Sequence, residues 1–116
     1  MINGVAVVAV PEEIDIINAA GLRAALLQAV SAGHSTLVVD MTGTHFCDSA
    51  GLHVLVRAHK RARADGGDLL LALQAAEVLR VLEITGIDQV IPAFATLDEA
   101  LEQAACANEP IGRRDG

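Results

Sequence analysis

The chain has no tryptophan and no tyrosine, and its only aromatic rings apart from histidine are Phe46 and Phe94. So few flat surfaces leave little on which nucleobases could stack. Positive charge is also scarce: eight Lys and Arg face fifteen Asp and Glu, for a formal net charge of −7. That balance argues against direct nucleic-acid binding. The two cysteines, Cys47 and Cys106, form no CxxC pair and have no metal-ligand spacing, so no metal site is expected. No apolar run approaches the ~20 residues of a membrane span, so no direct membrane insertion is expected. The apolar run from Val5 to Val10 has no basic flank and meets Glu12 and Glu13 directly, unlike a signal peptide. With two thiols, this points to a reduced, cytoplasmic setting.

Catalytic patterns are missing too. Cys47 and Gly51 flank Ser49, so a Gly-x-Ser-x-Gly elbow lacks its first glycine. Thr42-Gly43-Thr44 is too short a glycine feature to cradle phosphates, and His34, His45, His53 and His59 sit in no recognisable triad context. Neither enzymatic activity nor a cofactor is expected.

What the chain does have is aliphatic bulk. Of its 116 residues, 53% are hydrophobic, enough for one domain with a single core. Val5–Val10 reads as a central strand stopped by Pro11. Asn18 is placed as N-cap of a first helix with Leu22, Leu26, Ala29 and Val30 as its buried stripe and Gly33 as its C-cap. Ser35–Met41 reads as a strand buried on both faces. An amphipathic helix over Leu52–Ala62 should bury Leu52, Leu55, Val56 and His59, with Gly66-Gly67 closing it. Asp68–Leu73 follows as a strand, then a helix over Ala75–Thr85 burying Val78, Leu79 and Leu82, capped by Gly86. Val90-Ile91 is expected as a last short strand ended by Pro92, and Thr96 with Glu99 as the capping box of a final helix. The reading is a single domain over residues 1–107 and a flexible tail over 108–116. Alternating strands and helices give an α/β fold with a mainly parallel sheet of roughly four to five strands and about four helices.

Asp48 suits the N-cap of the central helix, which sets the Ser49 hydroxyl in its first turn, near the positive end of the macrodipole. A phosphate there would be stabilised by the helix end. Gly51 opposes helix propensity by about 1 kcal/mol relative to Ala, which implies close backbone approach by either the sheet or a partner. Ser49, His53, Arg57 and Lys60 share a wetter face, and His53 is either a solvated histidine or a partner for a phosphate on Ser49. Arg57, Lys60, Arg61 and Arg63 either complement the helix C-terminus or form a docking surface for an acidic partner. Cys47 reads as a small buried hydrophobe, the alternative being a thiolate at the helix start.

The run Asp40-Met41-Thr42-Gly43-Thr44-His45-Phe46-Cys47-Asp48-Ser49-Ala50-Gly51-Leu52 resembles the signature of STAS domains of the anti-sigma factor antagonist family. The similarity continues through Gly66-Gly67, Leu79-x-x-Leu82-x-x-Thr85-Gly86-Ile87 and Thr96-Leu97-Asp98-Glu99-Ala100. It spans roughly nine-tenths of the one expected domain. The resemblance implies a STAS fold and makes Ser49 the regulatory phosphoserine. Ala50 replaces the second serine of many relatives, which leaves Ser49 as the motif's hydroxyl. The family's Gly-Glu-Leu-Asp loop is matched by Glu13-Ile14-Asp15, with Glu12 in place of the glycine, so Asp15 joins the site; read by itself it is an exposed acidic loop. The family also usually carries a strand before the first one here.

The implied partner-binding set is Asp15, Asp48, Ser49, Ala50, Gly51, His53 and Arg57. The implied partners are an anti-sigma factor of the ATPase/serine kinase type and a serine phosphatase. Single STAS domains also serve as regulatory subunits of lipid-transporter ATPases, the alternative that the resemblance leaves open.

Overall fold

The computed structural model describes residues 5–15, 17–31 and 36–107. In chain order the elements are β1 (Ala6–Ala9), β2 (Glu13–Ile14), α1 (Ala19–Ser31), β3 (Thr36–Met41), β4 (Phe46–Cys47) and α2 (Ser49–Ala64). They continue with β5 (Asp68–Leu73), α3 (Ala76–Thr85), a 3-10 turn (Ile87–Gln89), β6 (Ala93–Phe94) and α4 (Leu97–Ala107). The Gly33 cap, the packing of the Cys106 side chain, the chain before Val5 and the tail of residues 108–116 lie outside what the structure describes.

Four strands form one parallel sheet in the order β1-β3-β5-β6. The sheet advances in one direction, and crossovers of a single hand keep the connecting helices on one face. The side chains follow the strand period of two. Leu37, Val39 and Met41 of β3 and Leu69, Leu71 and Leu73 of β5 enter the large core shared with α1, α2 and α3. Val38, Leu70 and Ala72 point to the opposite face, where Ala100 and Ala104 of α4 cover them. Burial on both faces is why β3 and β5 read as continuous apolar runs.

The helix ends match their sequence signals. Asp65 ends α2 with the pattern of a Schellman motif: the Gly67 N–H donates to Ala62 O at 2.8 Å and the Gly66 N–H to Arg63 O at 3.1 Å. Gly66 takes φ +87°, a conformation that favours glycine. Thr96 Oγ1 accepts from the Glu99 N–H at 3.1 Å, as a capping-box threonine should.

Among the described residues β1 pairs only with β3 and stands at the end of the strand order. Three expectations are corrected. Val90-Ile91 is not a strand: both N–H groups fold back onto Ile87 O, at 2.9 and 2.8 Å, and the last strand forms beyond Pro92. Leu79 is 40% exposed, because one residue past the buried Val78 takes it about 100° round the helix. Asn18 does not cap α1 with its side chain, for a reason that belongs to the site itself.

Candidate functional site

The site rests on a two-stranded parallel sheet at the carboxyl end of the main one. Glu13 pairs with Phe46 and Ile14 with Cys47. Backbone bonds extend the pairing, from His45 N–H to Glu12 O at 2.8 Å and from Asp48 N–H to Ile14 O at 3.0 Å. The buried Thr44 hydroxyl donates to Pro11 O at 2.8 Å. Asp40 Oδ1 holds the preceding turn, accepting from the Thr42 N–H at 3.1 Å and the Thr42 hydroxyl at 2.7 Å. The loop that delivers Asp48 and Ser49 is therefore tied down at both its walls.

Asp48 caps α2 as the spacing requires. Its backbone is extended, and Oδ1 accepts from the Ala50 N–H at 3.0 Å and the Gly51 N–H at 3.1 Å. Ser49 is then the first helical residue, and it is exposed. Ala50 beside it is half-buried. Gly51 is buried, and a Cβ there would overlap Ile14 Cγ2 and lie 2.8 Å from Cys47 Sγ. The close approach at Gly51 is α2 settling on β2 and β4, and the glycine shapes the surface from beneath.

Asp15 is neither a free loop carboxylate nor distant from Ser49 along the fold. It directly follows Ile14, whose carbonyl accepts from Asp48, so the two acidic residues leave adjacent strands side by side. Asp15 Oδ1 accepts from the Ile17 N–H at 2.9 Å and the Asn18 N–H at 3.2 Å. Asn18 Oδ1 in turn accepts from the Asp15 N–H at 2.9 Å, and its Nδ2 donates to Glu13 O at 2.7 Å. This reciprocal pattern is a capping box in which Asp15 holds the place expected for Asn18. Both helices thus start at one edge of the molecule, each capped by an aspartate.

Burial sets the thiol between these caps. Cys47 is 6% exposed, and its pKa is pushed up to about 11, first by desolvation and then by the Asp48 charge. It is a neutral, packed side chain, as a buried small hydrophobe should be.

Ser49, His53, Arg57 and Lys60 are all exposed along α2, which forms a ridge between two grooves. On one side Ser49, Leu52, His53 and Val56 face Thr85 and Ile87 across a largely apolar groove. On the other side His53 and Arg57 face Ala19, Ala20 and Arg23 of α1, and that groove continues past Leu27 and Ala58 to Arg61. His53 lines both. Sequence reasoning gave no site role to Thr85, Ile87 or Arg23. Thr85-Gly86-Ile87 is part of the resemblance to the family, and Arg23 follows Leu22 of the buried stripe, about 100° round α1, on the side that faces α2.

The basic cluster of α2 divides. Arg61 pairs with Asp65 at 3.3 Å and Arg63 with Asp68 at 3.5 Å, both at the helix C-terminus. His59 is buried with Nε2 3.3 Å from Asp68 Oδ1. Burial lowers its pKa, outweighing the upward pull of Asp68; Arg63 nearby adds to the lowering. Arg57 belongs with the grooves instead. Among the described residues no three His, Cys, Asp or Glu side chains gather in a metal-holding group, and no helix is long and apolar enough to cross a membrane.

Comparison with known proteins places this fold among relatives. The anti-sigma-F factor antagonist RsfB of Mycobacterium tuberculosis is 30% identical over 99 residues, covering 85% of this chain and 80% of that protein. The anti-sigma-B factor antagonist of Bacillus subtilis is 31% identical over 83 residues, covering 72% of this chain and 75% of its own length. A crystal structure of an anti-sigma factor antagonist from Mycobacterium paratuberculosis superposes with a TM-score of 0.80 at 30% identity, over 87% of this chain and 86% of that one. Residues 1–100 match the STAS domain family, and the chain belongs to it.

Proposed function

We propose that this protein is an anti-sigma factor antagonist that works as a phosphorylation-controlled binding switch. Unmodified, it binds an anti-sigma factor of the ATPase/serine kinase type in the bacterial cytoplasm, and the sigma factor is released. The kinase then phosphorylates Ser49, the complex weakens, and a serine phosphatase restores the active form. The observation that carries the reading is the Ser49 hydroxyl, exposed at the first position of α2 beside a cap made by Asp48. A phosphoryl group there adds about −1.5 to −2 charges next to a helix N-terminus that tolerates them. Asp15 and Asp48 already make the same edge acidic, so the added charge falls on the docking surface without a nearby carboxylate being removed. Relatives named as antagonists of anti-sigma factors, alignable over most of the chain, support the partner class over a transporter subunit.

Calorimetric titration against the cognate anti-sigma factor tests this. Ser49→Ala should bind like the unmodified protein, and Ser49→Asp should lose about 2–3 kcal/mol, roughly 30- to 150-fold in affinity. Circular dichroism should show both variants folded. Mass mapping after incubation with kinase and ATP should place the phosphate on Ser49. Equal affinities for the two variants would refute the switch, and phosphate on Thr42 or Thr44 would refute the choice of residue.

A further inference from the structure

We propose that the groove between α1 and α2 is a docking site for an acidic amphipathic helix of a protein partner. The proposal rests on the partner-binding reading above and adds the chemistry that the partner must present. Ala20 faces Ala50 at one end of the groove and Leu27 faces Ala58 at the other, so the two helices run side by side in the same direction. Between them the floor is apolar, built from Leu27, Val54 and Ala58. The rim is cationic, with Arg23 contributed by α1 and Arg57 and Arg61 by α2. No carboxylate lines it.

This is an unusual concentration of charge in a chain of net charge −7. Among the described residues Arg61 pairs with Asp65, whereas neither Arg23 nor Arg57 has an acidic partner. Gathering like charges around an apolar floor works against the folded state unless something anionic covers them. The spacing selects the occupant. Arg57 and Arg61 stand one helical turn apart, about 6 Å along α2. The cations are therefore strung along the groove and do not converge on a single point. A free phosphate would reach one or two of them, whereas a helix with a carboxylate on each turn and small apolar residues between would meet all three and fill the floor.

The upper end of the groove is formed by Ala50 and His53, whereas Ser49 itself lines the groove on the other side of α2. Ser49 precedes Arg57 by eight residues, about 12 Å along the helix, so the cations of this groove form a surface separate from the serine.

The test uses the full ¹⁵N-labelled chain and a synthetic Glu/Ala/Leu helical peptide of about four turns, with one glutamate per turn. Its controls are a scrambled peptide of equal composition and inorganic phosphate. Resonance shifts are expected at Arg23, Val54, Arg57 and Arg61, with affinity falling roughly 10- to 100-fold in an Arg23→Glu, Arg57→Glu double variant. Arg80→Glu, the same kind of charge reversal at one exposed position of α3, should bind the peptide as the unmodified chain does. Arg57→Lys should keep most of the affinity, and circular dichroism should report every variant folded. Equal binding of the scrambled peptide, equivalent shifts with phosphate alone, or no shifts in the groove would each overturn the proposal. The probe is not the anti-sigma factor, so failure here leaves the Ser49 switch standing. Loss of Ser49 dependence in the calorimetric experiment leaves the groove standing in the same way.

Discussion

Gly51→Ala is the substitution on which two physical effects disagree, so its sign is informative. Helix propensity alone favours alanine by about 1 kcal/mol at an interior helical position. Packing opposes it. The new methyl would overlap Ile14 Cγ2, lie 2.8 Å from Cys47 Sγ and 3.1 Å from Ile14 Cβ. Neither neighbour has room to retreat, since Ile14 is 0% and Cys47 6% exposed. Cγ2 is also fixed to the branched Cβ of Ile14, where no distal torsion can move it aside. Overpacking of this kind costs about 1–3 kcal/mol, and overlaps with two buried neighbours put it near about 2–3 kcal/mol, so after the propensity gain the net expectation is a loss of about 1–2 kcal/mol. That corresponds to a fall in Tm of roughly 4–12 °C for a domain of this size.

The measurement is urea denaturation followed by far-ultraviolet circular dichroism, because the chain has no tryptophan or tyrosine to serve as a fluorescent probe. A cycle with Ile14→Ala separates collision from other causes. Alone, Ile14→Ala should cost about 2–5 kcal/mol by opening a cavity. In the double variant the methyl introduced by Gly51→Ala occupies part of that space, and the two changes should be coupled by at least about 1 kcal/mol in the favourable direction. A stabilised Gly51→Ala, or strict additivity in the cycle, would show that α2 does not sit against β2 and β4 as described.

Three further outcomes follow from the same geometry. Asp15→Asn should leave Tm nearly unchanged because asparagine caps as well as aspartate, whereas Asp15→Ala should cost about 1 kcal/mol in thermal or urea melts. Loss of anti-sigma binding in Asp15→Asn at unchanged stability would then assign the charge itself to docking. Cys47, with its pKa near 11 instead of 9.0, is about one part in a thousand thiolate at pH 8, against about one in ten without the shift. Iodoacetamide with peptide mapping should accordingly find it at least ~100-fold slower in the folded chain than in urea. His59 has a folded pKa below its ordinary 6.5, so the unfolded chain binds its proton first. Its contribution is present above about pH 6.5 and is lost as pH falls toward the lower folded value. Between about pH 7.5 and pH 5.5 the wild type should therefore lose more Tm than His59→Gln, and equal losses would refute burial of the neutral form.

Sequence legibility tracked how local each interaction is. The Asp48 cap, the Gly66-Gly67 closure and the Thr96 half of the last capping box depend on neighbours within a few residues, and each is present in the structure. The buried stripe of α2 was also visible at helical spacing, through Leu52, Leu55 and His59. The β2–β4 pair was not, because strands of two residues are too short to show a period. It exists through contacts such as Thr44 to Pro11, thirty-three positions apart. That hidden pair decided several questions at once: why position 51 is glycine, why Cys47 is inert and how Asp15 reaches Asp48. Arg23 escaped notice for a related reason, since an arginine on an amphipathic helix acquires meaning only when α2 is laid beside it.

The division of labour around Ser49 explains how this surface can change charge without endangering the fold. The bonds that fix the serine belong to other groups: Asp48 Oδ1 takes the Ala50 and Gly51 N–H groups, and the Ile14 carbonyl takes the Asp48 N–H. None uses the Ser49 hydroxyl. Directly beneath, Gly51, Ile14 and Cys47 are apolar and buried, so they offer a new charge nothing to repel or attract. The groups that do respond lie outward along α2, at His53 and Arg57, where a partner would be read. At about 8 Å in a solvated surface, with effective dielectric near 80, each pair of unit charges is worth about 0.5 kcal/mol. A phosphoryl group of nearly two charges meeting two or three partner carboxylates then reaches about 2–3 kcal/mol. That would be enough to dissolve the proposed complex and is too distant from the core to unfold the domain, provided the stabilising bonds stay, as they do here, with the caps and not with Ser49.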